Sequence, residues 1–358
     1  MLKLAVDCRM IGSGGIGSYI SEIIPYLLKS AQCLLIGTHE QVMSFVRMEN
    51  EEFCFCDVPP FSARELFSFP RDVLAKINAC DAYYTPYCNI PAGIQVPVFS
   101  TIHDVVFFDV PELTSPLGRF VRKCFYRRAI NRSRAVFTVS EFSKSRIQHH
   151  LHCKKPLVLT YNGVPKYLTK PFDEPVQQQD EILFVGNIKK HKGLGTLLQA
   201  FSQARDQGLR AKLVIVGNAD NFRTGDEETV ARLEQAKAEK DSPLVFTGRV
   251  TNEELKELYA RAKVLVQPSL YEGFGIPPLE AMTVGTPVII SDIPVFKEIY
   301  AAYPVTYFRA GDAADLAEKL LACQGGRVDV SAVESGFSYA KSALTILETV
   351  EDSIKNHH

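Results

Sequence analysis

Runs of consecutive apolar residues alternate along this chain with longer stretches in which apolar positions recur every third or fourth residue. The runs fit strands buried on both faces, and the spaced stretches fit amphipathic helices. In the first half, strands are predicted at 3–6, 33–36, 81–84, 96–102, 135–139 and 156–161, and helices at 17–29, 71–78, 117–131 and 141–151. Asn162–Gly163–Val164–Pro165 then reads as a turn. Residues 166–180, polar and with two prolines and three consecutive glutamines, read as a linker. Behind it the alternation restarts, with strands at 181–185, 212–216, 244–247, 264–267 and 287–290. Helices are predicted there at 193–203, 227–240, 252–260, from 278 onward, at 313–322 and at 339–355. Apolar strands alternating with helices describe a parallel sheet covered on both faces. The prediction is an α/β chain of two doubly wound, Rossmann-like domains, residues 1–165 and 181–338, with 339–358 as a terminal helical segment. Ligands of such sheets bind at the carboxyl ends of strands, so the expected site is a cleft between the domains.

A length of 358 residues agrees with two domains. An apolar share of 46% with 23% charged residues excludes a mainly disordered chain. No apolar run approaches the roughly 18 residues of a spanning helix, and the first ten residues read as a strand, not a signal peptide. Nine cysteines without a C-x-x-C pair read as reduced thiols of a cytosolic protein. Net charge is −1, yet residues 1–165 hold 18 Lys and Arg against 14 Asp and Glu. That mild excess suits an anionic surface or ligand and is too weak to argue for nucleic acid.

Gly12–Ser13–Gly14–Gly15–Ile16–Gly17 spells G-x-G-x-x-G, but Asp7–Ile11 separates it from the strand end and no acid closes the second strand. The dinucleotide reading therefore fails. Glycines that admit a close backbone, ahead of a helix whose first N–H groups are open, still suit a phosphate. A second loop of this kind, Tyr271–Glu272–Gly273–Phe274–Gly275–Ile276–Pro277–Pro278, follows the 264–267 strand. Pro277 or Pro278 suits the first helical position, where no N–H is needed. Glu272 is expected in the loop and Glu280 in the first helical turn. There the two carboxylates can accept from sugar hydroxyls and from a ribose diol.

These residues resemble the retaining family-4 glycosyltransferases of the GT-B fold, and polysaccharide and lipopolysaccharide mannosyltransferases among them. The resemblance is carried by the E-x7-E element Glu272–Glu280 with Gly285–Thr286–Pro287–Val288–Ile289 behind it. It extends to Gly14–Gly15, His103–Asp104, Val139–Ser140–Glu141–Phe142–Ser143, Asn162–Gly163–Val164, the segment from Gly186 to Lys192–Gly193, and Gly248–Arg249–Val250. It implies a nucleotide-sugar donor in the C-terminal domain, an acceptor on the N-terminal one, and a last helix that crosses back to the first domain. Glu272 would hold donor-sugar hydroxyls and Glu280 the ribose. Phe274, Gly275 and Ile276 would meet the sugar and diphosphate through their backbone, and Val250 the base. Lys192 would neutralise the diphosphate with help from Gly14 and Gly15, and His103 would lie beside the anomeric carbon. The family usually has arginine after Gly186; this chain has Asn187, which cannot form the bidentate contact, so more charge falls on Lys192, with Lys189 or Lys190 beside it.

The implied reaction is front-face transfer with retention, with the leaving phosphate accepting the acceptor's proton. No D-x-D occurs, so metal independence is expected, and no cofactor beyond the donor (GDP-mannose first, a UDP-sugar next). On the acceptor side, nine cations face the single Glu141 between residues 119 and 146. Leu117, Phe120, Val121, Cys124 and Ala129 share a helical stripe expected to pack inward. Arg119, Arg122, Lys123 and Arg127 would then face a lipid-linked acceptor or anionic headgroups, placing the protein in the cytoplasm or on the inner face of the plasma membrane. An epimerase or phosphorylase of the same fold and an inactive nucleotide-sugar-binding subunit are the competing readings.

Overall fold

Period-two alternation sorts the first strand between two layers: Leu4 and Val6 enter one apolar cluster and Ala5 the other. The computed structural model describes residues 1–45, 50–217, 242–331 and 337–356, with residues 229, 231, 233 and 235. Its contacts define two units. One comprises Met1–Phe108, Ser115–Gly163 and Gly336–His358, the other Asp109–Thr114 and Val164–Ser335.

In the first unit, seven parallel strands among the described residues are β1 (Lys3–Asp7), β2 (Gln32–Gly37), β3 (Glu51–Phe55), β4 (Ala82–Thr85), β5 (Val98–Thr101), β6 (Ser133–Thr138) and β7 (Leu157–Leu159). Their order is β3-β2-β1-β4-β5-β6-β7, so the chain changes direction of growth between β1 and β4. The Gly14–Ser30 and Tyr339–Lys355 helices cover one face, where Ile20, Ile24 and Leu27 join Ala343, Ile346 and Val350 in one cluster. The last helix therefore does return to the first unit. The 11-residue Glu141–Leu151 helix on the other face is capped by Ser140, whose Oγ accepts from the Ser143 amide at 3.0 Å.

In the second unit the described strands are β8 (Glu181–Val185), β9 (Lys212–Val216), β10 (Leu244–Gly248), β11 (Val264–Gln267), β12 (Val288–Ser291) and β13 (Val305–Phe308), ordered β10-β9-β8-β11-β12-β13. Here growth reverses between β8 and β11. Every pairing in both sheets is parallel. The α/β fold of two Rossmann-like units is the one the alternation predicts.

Several details differ from the sequence reading. β3, β13 and the Pro294–Tyr300 helix carry no prediction; both strands lie at sheet edges and are only partly buried, so no apolar run marks them. The first helix opens at Gly14, not residue 17; Gly14 itself has φ 59°, a left-handed geometry that glycine adopts without a Cβ penalty, and it and Gly15 are exposed. Residues 166–180 are held by the second unit: Lys166–Thr169 is a short helix, and Gln178 Nε2 donates to the carbonyls of Ala262 and Gly326 at 3.1 and 2.9 Å. The helix predicted over residues 227–240 lies largely outside the described residues, as do His357 and His358. Among the described residues no helix is long and apolar enough to cross a membrane.

Candidate functional site

Two loops meet where the second sheet reverses growth. One leaves β8 through Gly186 and Asn187 to a tight turn at Lys190–Lys192; the other leaves β11 through Pro268 to Gly275. Gly193 (φ 70°) and Gly275 (φ 84°) each open a helix in left-handed geometry. A Cβ at Gly193 would run into the Pro268 carbonyl oxygen, and one at Gly275 into the Phe296 ring. The His191 carbonyl accepts from the amides of Leu270 and Tyr271, which ties the loops together.

That tie sets Lys192 against Glu272. The ammonium donates to both carboxylate oxygens at 2.7 Å, and Ser269 Oγ donates to Oε1 at 2.7 Å, with Gln267 Nε2 at 3.4 Å. Glu272 is 8% exposed and the Lys192 side chain 22%. Burial works to raise the Glu272 carboxyl, but the Lys192 charge and the donated hydrogen bonds outweigh it and hold the group below its ordinary value. Lys192 and Glu272, placed apart by the sequence reading as diphosphate and sugar ligands, are one charged pair.

Beside them His191 is buried, its Nδ1 has no hydrogen-bond partner, and burial together with the Lys192 charge pushes its imidazole down to about 4. An unfolded chain binds this proton near 6.5 and the folded one near 4. Stability is therefore full above pH 6.5 and falls as pH drops toward 4, by at most about 3 kcal/mol. Denaturant titrations between pH 7 and 4 should show this slope, and His191→Asn should remove it.

Glu280 lies in the second turn of the Ile276–Thr283 helix, not the first, because the helix already begins at Ile276. Its Oε2 accepts from Tyr259 Oη at 2.6 Å, and Thr286 Oγ1 donates to the Tyr259 carbonyl at 2.6 Å. Phe274 and Gly275 are buried and Ile276 half-buried, while Asn187 is exposed and Lys189 half-buried. Val250, half-buried, follows the end of β10.

In the first unit, Gly14 and Gly15 are exposed in the opening helical turn, and a Cβ at Gly15 would meet nothing within 4 Å. His103 follows β5, its ring edge-on to Tyr19 at 4.8 Å. Its Nε2 lies 2.9 Å from the Pro86 carbonyl, which can only accept, so Nε2 carries the proton. Burial lowers the imidazole below its ordinary value, leaving a neutral ring with Nδ1 as an acceptor.

The sequence reading missed a buried cluster under this loop. Arg9 donates to Asp7 Oδ1 and Oδ2 at 3.0 and 2.6 Å and to Glu65 Oε1 at 2.6 Å. Tyr83 Oη donates to Asp7 at 2.6 Å, and Asn89 Nδ2 reaches both carboxylates. These bonds fix the Thr85–Asn89 segment that carries the Pro86 carbonyl, and through it the His103 ring. The members stand up to 82 positions apart, so no local motif announces them.

The helix with the basic run is also turned. Its buried residues are Tyr126, Ala129 and Ile130, while Leu117, Phe120 and Val121 are 72, 64 and 43% exposed. Of the stripe expected to pack, Ala129 does pack, while Leu117, Phe120, Val121 and Cys124 point outward, because only the last two turns rest on the sheet. Arg119 and Lys123 are half-buried, Arg127 is exposed, and Arg122 stacks on Phe107 at 3.9 Å. Among the described residues no group of three or more His, Cys, Asp or Glu comes together as a metal site.

Residues 168–324 match the family described as glycosyl transferases group 1, and residues 44–166 match Glycosyltransferase Family 4. The O-antigen chain mannosyltransferase RfbU of Salmonella typhimurium is 34% identical over 205 residues, 56% of this chain and 53% of that one. The O-antigen chain mannosyltransferase B of Escherichia coli is 28% identical over 61% of this chain and 58% of its own. The chain thus spans little more than half the length of the curated relatives it matches. Anabaena HepE, solved with UDP and glucose, superposes with a TM-score of 0.67 at 17% identity over 99% of this chain and 98% of that one. The sucrose-phosphate synthase of Thermosynechococcus elongatus gives 0.66 at 18% identity over 99% and 94%. The two family matches abut at the turn between the units, so each part of the chain matches its own glycosyltransferase family model, and the architecture is that of the GT-B fold.

Proposed function

We propose that the protein transfers a sugar, mannose before others, from a nucleoside diphosphate sugar to a glycan or lipid-linked acceptor in surface-polysaccharide synthesis. The observation that carries this reading is the Lys192–Glu272 pair at the reversal point of the second sheet. An entering diphosphate competes with Glu272 for the ammonium. As Lys192 turns to the phosphate oxygens, Glu272 is left ionised with free lone pairs for sugar hydroxyls. Glu280, already oriented by Tyr259, takes the ribose diol. The Ile276 amide at the opening of the Ile276–Thr283 helix, where Pro277 and Pro278 carry no N–H, faces the diphosphate, and Lys192 stabilises the charge that develops as the bond from C1 to phosphate oxygen breaks. The acceptor oxygen joins C1 on the same face, and its proton passes to the departing phosphate. His103, held neutral, accepts from a sugar hydroxyl through Nδ1. No metal or cofactor enters these steps. Mannose is favoured by the names of the relatives and UDP-glucose is the alternative set by HepE.

A thermal-shift series with GDP, UDP, GDP-mannose and UDP-glucose tests the reading. At a hundredfold excess over Kd a ligand stabilises by about 2.7 kcal/mol, which moves the melting point several degrees. The expected result is a shift with GDP and GDP-mannose. A shift with uridine compounds alone reassigns the donor, and no shift with any of the four removes the nucleotide-sugar reading.

A further inference from the structure

Phe61 holds a bulky side chain on backbone that suits glycine: its φ is 64°, and the other described non-glycine residues with positive φ are Asn50 and His152. For phenylalanine this geometry is strained and persists only where neighbours impose it. Glu65 imposes it. Its Oε2 accepts from the Phe61 amide at 2.6 Å, and its Oε1 accepts from Arg9 at 2.6 Å and from Asn89 Nδ2 at 3.1 Å. One fully buried carboxylate thus fixes Phe61 and the Thr85–Asn89 segment together. The result is a row of half-buried rings that starts at His103. Tyr87 lies 6.5 Å from the imidazole, tilted by 33°, and Phe61 stands at 85° to Tyr87 with centroids 5.4 Å apart. Phe125 backs Phe61 at 5.1 Å. Asp104, next to His103 in the chain, accepts from the Val106 amide through Oδ1 at 3.0 Å, and its Oδ2 accepts no bond among the described residues.

We propose that the corner between Phe61 and Tyr87 is a stacking subsite for one pyranose ring of a glycan acceptor, beside His103. A pyranose has an apolar face of C–H bonds, whose positively polarised hydrogens suit the negative face of an aromatic ring. Its rim carries hydroxyls, and Asp104 Oδ2 can accept from one of them. A purely apolar occupant would bury that carboxylate unmatched. The strain at Phe61 keeps one ring orientation where a flexible loop would offer several, which is the use to which a binding site puts such geometry. The subsite rests on the glycan-acceptor reading above, and it is tested by binding alone, without a transfer assay.

The experiment is saturation-transfer NMR on the full chain with methyl α-mannoside, methyl β-galactoside and methyl N-acetyl-β-glucosaminide, with and without GDP. Saturation of the aromatic protons is expected to pass to the C–H protons on one face of at least one glycoside. Phe61→Leu keeps an apolar side chain but no flat ring and should bind that glycoside about tenfold more weakly, whereas Phe61→Tyr should bind it as the parent does. GDP-mannose should shift the melting point of Phe61→Leu as it does the parent's, so loss of the stacking subsite and failure of the nucleotide-sugar reading are read apart. No glycoside signal in the parent, equal affinity in Phe61→Leu, or Phe61→Tyr no better than Phe61→Leu overturns the proposal. A signal lost in Glu272→Ala and kept in Phe61→Leu assigns the sugar to the donor site and equally overturns it.

Discussion

Lys192→Ala and Glu272→Ala should each lower sugar transfer by about 10²–10³-fold while leaving both units folded. Lys192 is partly exposed and sits on a turn, so its removal leaves the sheet intact. What disappears is a cation 2.7 Å from both oxygens of Glu272, the group that in the proposed reaction moves onto the leaving diphosphate. The loss should fall mainly on kcat, because the charge on the departing oxygen is greatest as the bond breaks. In Lys192→Ala the remaining burial raises the Glu272 carboxyl, so residual activity should shift its acid limb to higher pH. Steady-state kinetics with the donor chosen by the thermal-shift series reads both effects. Near-normal turnover in Lys192→Ala would move the diphosphate charge to Lys189 or Lys190.

Arg9→Met should be the most damaging single change to stability, about 3–5 kcal/mol. Arg9 and Asp7 are 5 and 2% exposed and Glu65 is fully buried, so the variant leaves two carboxylates facing Asn89 without a cation. Burial acts to raise the Asp7 carboxyl, and the Arg9 guanidinium beside it is what keeps the group below the usual range. The penalty is therefore largest near pH 7 and shrinks as pH falls and Asp7 takes a proton. Calorimetry should show the first unit's transition lowered by about 10 °C at pH 7 and by less at pH 5. A variant melting within a degree of the parent would mean that the cluster is held by its neutral hydrogen bonds alone.

How much of this could be read beforehand follows from where the information lies. Central strands such as β8, β9 and β11 are buried on both faces, so their limits stand in the sequence as apolar runs; β3 and β13, at the edges, keep polar or exposed residues and leave no such mark. The E-x7-E loop was legible because its glycines, prolines and acids are contiguous. The contact between Glu272 and Lys192 was not, since it spans 80 positions and depends on which two strands flank the reversal point. Arg9, Asp7 and Glu65 were hidden for the same reason. The Pro116–Arg132 helix misled in a different way. Periodicity shows that an apolar stripe exists, but the side that meets the sheet was settled by Tyr126, Ala129 and Ile130 near its end.

The Tyr339–Lys355 helix, described above as part of the first unit's core, has a consequence for synthesis. Its Ala343, Ile346 and Val350 cover apolar surface laid down by residues near the start of the chain. A nascent chain emerging from the ribosome must hold that surface open while the entire second unit is translated. The second unit can close while the first still waits for its final piece. Chaperones that shield greasy patches have their longest opportunity on Ile20, Ile24 and Leu27.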